Sequence, residues 1–118
     1  MSKERDRRYL AYIDEAIALI EARTRAGRAA FLQDVDVQDA VLWRLETLAE
    51  ASGKLSPELR ERHPEIRWRA IYGFRNIAAH AYLELRLDQV WEIVEQHLPT
   101  LRAVVQEELR LPPPGRKV

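Results

Sequence analysis

A chain of 118 residues is long enough for one domain around a single hydrophobic core and too short for two. Its 47% hydrophobic and 32% charged residues exclude a disordered polymer and fit a compact, strongly helical protein. Nineteen Lys and Arg balance nineteen Asp and Glu, so no global field draws the chain toward nucleic acid or an anionic membrane, and any RNA affinity has to come from a local patch.

The absence of cysteine removes disulfides, thiol catalysis and thiolate metal sites together. The charged N-terminus has no apolar signal core, and no stretch reaches membrane-spanning length, so the expectation is a cytoplasmic protein without membrane contact.

From about Arg5 to Arg25, Tyr9, Ile13, Ala16, Ile17 and Ile20 recur at helical spacing with charges opposite, which predicts a first amphipathic helix. Gly27 stops it, and Ala29-Ala30-Phe31-Leu32 reads as a short apolar bridge. Asp34 and Asp36 both offer N-caps for a second helix beginning near Asp36 and ending at Gly53. Its inward stripe is Val37, Val41, Leu45 and Leu48, widened by Ala40, Leu42 and Ala49. Ser56-Pro57-Glu58-Leu59 combines an N-cap, a proline at the first helical position and a first-turn acid, so a short connector helix runs toward Arg62.

After Pro64, nothing interrupts the run from Ile66 to His80, which predicts a third long helix. The last spans about Arg86 to Leu109, with Val90, Trp91, Val94, His97, Leu98, Leu101, Val104 and Val105 inward and a kink at Pro99, where an amide donor is missing. A single domain therefore covers residues 1–111, followed by a Pro-rich, flexible tail at 112–118, extended or disordered. Four substantial helices, one short one, no strand pattern and short connections make an all-α, antiparallel four-helix bundle.

Chemistry concentrates near the end of the third long helix. Tyr72, Asn76 and His80 fall at i, i+4 and i+8 along one stripe, where Asn76 can orient the His80 ring. Arg75 precedes His80 by five residues, roughly 140° around a straight helix. The two converge on one substrate only through a helix end near His80, the reach of the arginine, or a second protomer across a two-fold axis; a homodimer is the preferred reading.

Elsewhere the patterns are plainer. Arg67 and Arg69, with Arg60 and Arg62, form a candidate RNA approach, although Glu58, Glu61 and Glu65 interleave with them as on a solvated mixed face. Glu46 and Glu50 lie one turn apart, as on an exposed helix side or opposite an arginine, and are not read as a catalytic pair. His63 and His97 lack metal-ligand spacing, so neither a metal nor a cofactor is expected, and His97 reads as a core-edge side chain near Pro99. Trp43, Trp68 and Trp91 read as core or dimer-interface residues.

The segment Arg75-Asn76-Ile77-Ala78-Ala79-His80-Ala81-Tyr82 resembles the Arg-x4-His-x-Tyr signature of HepT-like proteins in the HEPN superfamily, with Asn76 in the usual asparagine position. The likeness runs from about Asp36 through Leu109, taking in Pro64-Glu65-Ile66-Arg67-Trp68, Val90-Trp91-Glu92-Ile93 and Leu98-Pro99. It implies a dimeric bundle acting as a metal-independent ribonuclease toxin, with Arg75 and His80 catalytic and Asn76 supporting the site. It also implies a partner, a small nucleotidyltransferase antitoxin that adenylylates Tyr82 and silences cleavage. The residues suit that chemistry: a histidine titrating near neutrality moves protons, an arginine presents forked donors to phosphate, and a dimer supplies two copies of His80. A non-catalytic helical partner subunit of a nucleotidyltransferase would share the fold and lack the cleavage.

Overall fold

The computed structural model describes residues 2–111, and the predicted tail at 112–118 lies outside them. The described elements are α1 (Ser2–Arg23), α2 (Arg28–Gln33), α3 (Val35–Ser52), α4 (Pro57–Glu61), α5 (Trp68–Ala79), α6 (Leu87–Glu92), a π-helical turn (Ile93–His97) and α7 (Leu98–Arg110). Helix α3 packs on both α1 and α5, and α1 also packs on α7. The rod made by α6, the π turn and α7 is the fourth long member of the bundle.

Helical spacing explains which side chains fill the core. Helix α1 contributes Leu10, Ile13, Ala16, Ile17 and Ile20; α3 contributes Val41, Leu42, Leu45, Leu48 and Ala49; α7 contributes Leu98, Leu101, Val104 and Val105, all buried. Fully burying each of the larger side chains is worth about 1.5–3 kcal/mol before the entropy of ordering it is subtracted.

Several boundaries depart from the sequence reading, each for a local reason. The bridge at 29–32 is itself a helix, α2, because its Phe31 is buried and stacks 5.5 Å from Trp91, while Gln38 Nε2 donates to the Phe31 carbonyl at 2.8 Å. Asp34, not Asp36, caps α3, accepting from the Val37 N–H at 3.2 Å. Ser56 caps α4 as expected, and its hydroxyl and amide also donate to the buried Asp6 carboxylate at 2.6 and 2.7 Å, tying α4 to the start of α1. Helix α5 begins at Trp68 and not at Ile66, since the buried Ile66 side chain and a turn after Pro64 come first.

The kink expected at Pro99 takes the form of the π turn. Proline has no amide hydrogen to donate back along the helix, so the chain widens by one residue just before it, and the Leu98 N–H reaches the Ile93 carbonyl. His97 sits at this turn, half-buried and edge-on to Phe74 at 5.6 Å, the core-edge role read from its position. His63 is buried instead against α7: its Nε2 lies 2.5 Å from Glu108, whose carboxylate also accepts from Arg62 at 2.8 Å.

Candidate active site

Helix α5 carries the motif and ends within it. The helical hydrogen bonds stop at Ala79, leaving His80 as the C-cap with its backbone N–H donating to the Asn76 carbonyl at 3.2 Å. A compact turn follows, held by Glu84 N–H to His80 O at 2.9 Å and Arg86 N–H to Ala81 O at 2.8 Å. Ala81 is fully buried and pins this turn to the bundle, while Leu85 takes a left-handed φ of 54° to complete it. Of the three routes to convergence of Arg75 and His80, the helix end is therefore present within one chain.

The expected side-chain link between Asn76 and His80 is not among the described hydrogen bonds. The helix ends between them, so the i, i+4 stripe is broken at its last member and the observed link is the backbone one.

Arg75 is exposed, and its guanidinium lies 4.3 Å over the Tyr72 ring, one turn earlier on α5. That ring rests on Gly53 at the end of α3: a Cβ there would stand 2.5 Å from Tyr72 Cε1. Among the described residues the guanidinium has no ion-pair or hydrogen-bond partner, so its donors remain available.

Beside it, α3 and α5 form a groove of about 290 Å³ lined by Trp43, Glu46, Thr47, Glu50, Arg75, Asn76 and Ala79. Five of these seven were not read as site residues, and Trp43, Glu46 and Glu50 are the ones that bring aromatic surface and charge. Trp43 was expected in the core or an interface and is 61% exposed, which rules out the core. Glu46 and Glu50 do lie on the more open side of α3, as their spacing indicated, but that side faces the motif helix. Asp39, Trp43, Glu46 and Glu50 form a 4-3-4 stripe, the signal that would have revealed this face once α5 was placed against it.

Tyr82 lies on the turn that follows α5. Its hydroxyl donates to Asp39 Oδ1 at 2.5 Å, joining the segment after α5 to α3. The ring is 45% exposed, while burial around the oxygen, followed by the hydrogen bond to Asp39 and that carboxylate's charge, pushes the phenol up to about 12. Arg67 and Arg69 are exposed at the N-terminal end of α5, about 9–12 Å from Arg75 by helical rise, and neither lines the groove beside it. No helix of the described residues is long and apolar enough to cross a membrane.

The model of the HepT-like family, described as ribonuclease HepT-like, matches residues 13–108, which take in the core of α1, the groove and the motif. The chain belongs to the HepT-like ribonuclease family. It is 38% identical over 95 residues to the "Probable ribonuclease HepT" of Thermococcus cleftensis, covering 80% of this chain and 86% of that protein. A candidate RNase of Caldanaerobacter subterraneus is 31% identical over 105 residues, covering 88% and 94% of the two chains. Another, from Methanocaldococcus jannaschii, is 30% identical over 94 residues, covering 80% and 86%. No solved structure matches the chain.

Proposed function

We propose that this HepT-like chain is a metal-independent endoribonuclease, the toxin of a toxin–antitoxin pair, silenced when a nucleotidyltransferase adenylylates Tyr82. The observation that carries the reading is the state of Arg75 and His80. Both are exposed near one end of α5, and among the described residues neither side chain has a hydrogen-bond or ion-pair partner to occupy it. A cation held by stacking instead of a carboxylate keeps its forked donors for a phosphate.

In this mechanism the ribose 2′-oxygen attacks the adjacent phosphorus while an imidazole of His80 takes its proton. Arg75 donates to the non-bridging oxygens as charge develops on them, and the departing 5′-oxygen collects a proton from the His80 of a second protomer. A homodimer thus supplies base and acid from the same position, with Asn76 contributing polar contacts in the groove beside Arg75.

Adenylylation joins the Tyr82 oxygen to the α-phosphorus of ATP, releases pyrophosphate and passes the phenolic proton toward Asp39, which already accepts it. The added phosphodiester then competes with RNA for Arg75.

The products test the chemistry. RNA incubated with purified protein in EDTA should end in 2′,3′-cyclic phosphate and 5′-hydroxyl groups. Fragments ending in 3′-hydroxyl and 5′-phosphate would contradict attack by the 2′-oxygen.

A further inference from the structure

We infer that the groove between α3 and α5 is a nucleobase subsite, in which a base next to the cleaved phosphate stacks on Trp43 and is read by Glu46 and Glu50, with guanine the preferred base. The inference rests on the ribonuclease reading for its setting and on the groove itself for its chemistry.

The first observation is size. A space of about 290 Å³ holds the liquid volume of roughly ten waters, which suits one planar base with residual solvent. The second is Trp43, an indole 61% exposed that lines this groove and is of the side-chain type on which single-stranded bases stack. The third is the arrangement of charge. Arg75 and Asn76 line the α5 wall, while Glu46 and Glu50 line the α3 wall. A phosphate is attracted to the first wall and repelled by the second, so a nucleotide enters with its phosphate toward Arg75 and its base toward the carboxylates.

Carboxylates accept and never donate when ionised, so the base they favour is one that presents N–H groups. Guanine aligns its N1–H and N2–H on one edge, matching the two oxygens of a carboxylate. Adenine and cytosine offer one amino group, and uracil's single N–H is flanked by carbonyls that repel the anion. Thr47 does not compete in this reading, because its hydroxyl accepts from Tyr12 at 2.6 Å and donates to the Trp43 carbonyl at 3.1 Å.

A second copy of the chain laid over this wall is the contrasting occupant. It would strip water from Glu46 and Glu50, neither of which has a hydrogen-bond or ion-pair partner among the described residues, whereas a base with N–H groups pairs with them.

The test has two independent readouts. Wild type, Trp43→Leu and the double variant Glu46→Gln/Glu50→Gln are titrated with guanosine and uridine monophosphates by tryptophan fluorescence, and their cleavage positions on an RNA of balanced composition are compared. Guanosine monophosphate should quench the wild type and leave Trp43→Leu unaffected, with uridine monophosphate weaker. Cleavage beside guanine should predominate in the wild type and lose that preference in the double variant, while Trp43→Leu raises KM about tenfold, within the range of base–aromatic stacking.

Cleavage without base preference, or a preference unchanged in the double variant, overturns the subsite and leaves the ribonuclease reading intact. Trp43-dependent quenching by guanosine monophosphate in a protein that cleaves nothing supports the subsite and overturns the ribonuclease reading. No quenching together with no cleavage overturns both.

Discussion

Replacing Gly53 by alanine should weaken RNA cleavage without unfolding the protein. Gly53 has φ −69° and ψ −14°, a conformation alanine adopts freely, and helix propensity alone favours alanine by up to about 1 kcal/mol. The added methyl, however, would stand 2.5 and 2.6 Å from Cε1 and Cδ1 of Tyr72, well inside the contact distance of about 3.5–4.0 Å. A ring edge at the rim of the bundle can swing away by about 1 Å, so stability changes little and the cost falls on what the ring supports. That is the Arg75 guanidinium, stacked at 4.3 Å. A cation–π contact at an exposed site is worth about 0.5–1 kcal/mol, which converts to a loss of about two- to fivefold in kcat/KM. The assay is kcat/KM on RNA beside a thermal melt. Tyr72→Phe keeps a ring and should retain activity, whereas Tyr72→Leu should match Gly53→Ala. Because both remove one interaction, Gly53→Ala/Tyr72→Leu should show no further loss. Unchanged cleavage in Gly53→Ala, or additive losses in the double variant, would refute the reasoning.

Two further outcomes follow from buried or paired acids. Burial pushes the Glu108 carboxyl up, but hydrogen bonds from Arg62 and His63 outweigh it and leave it below its ordinary 4.5. A depressed folded value means the stability is present above about pH 4.5 and is lost as pH falls through the folded value. Glu108→Gln should therefore cost about 1.5–3 kcal/mol near neutrality, toward the low end because the Arg62 side chain is half-exposed. In urea melts its deficit relative to wild type should shrink below pH 4.5, and a constant deficit would count against the pairing. Asp39→Asn removes a charge but not the burial, so the Tyr82 phenol should titrate below about 12 yet above 10.0, read as tyrosinate absorbance against Tyr82→Phe. An unaltered titration would mean that the Tyr82–Asp39 bond does not form in solution.

What the sequence made legible was the local order. Helical periodicity located the long helices, Gly53 marked the end of one and Ser56 the start of the short connector, and the arginine and histidine of the motif stood out through their resemblance to the HepT-like signature. Less legible was whatever depended on a neighbour. Phe31 looked like part of a linker because its partner, Trp91, is sixty residues away. Pro99 foretold a disruption, but whether the helix bends or widens depends on which carbonyls can be re-satisfied, and here the Leu98 N–H reaches Ile93. Of the two places expected for Trp43, its exposure removes the core, and Glu46 and Glu50 lie on the open helix side that their spacing indicated, with Arg75 on the facing wall of the groove. Their relation to Arg75 exists only once α3 and α5 pack.

The measurement that bears most directly on the proposed function is cleavage of labelled total RNA and tRNA in EDTA by wild type, His80→Ala and Arg75→Ala, each checked for helicity and for an adenylyl mass on Tyr82. Both side chains are exposed, so the variants should fold. Unmodified wild type should cleave, with activity reduced at least about a hundredfold in either variant. No cleavage by folded, unmodified wild type, or equal cleavage by His80→Ala, would contradict the assignment and leave a helical partner subunit of a nucleotidyltransferase in its place.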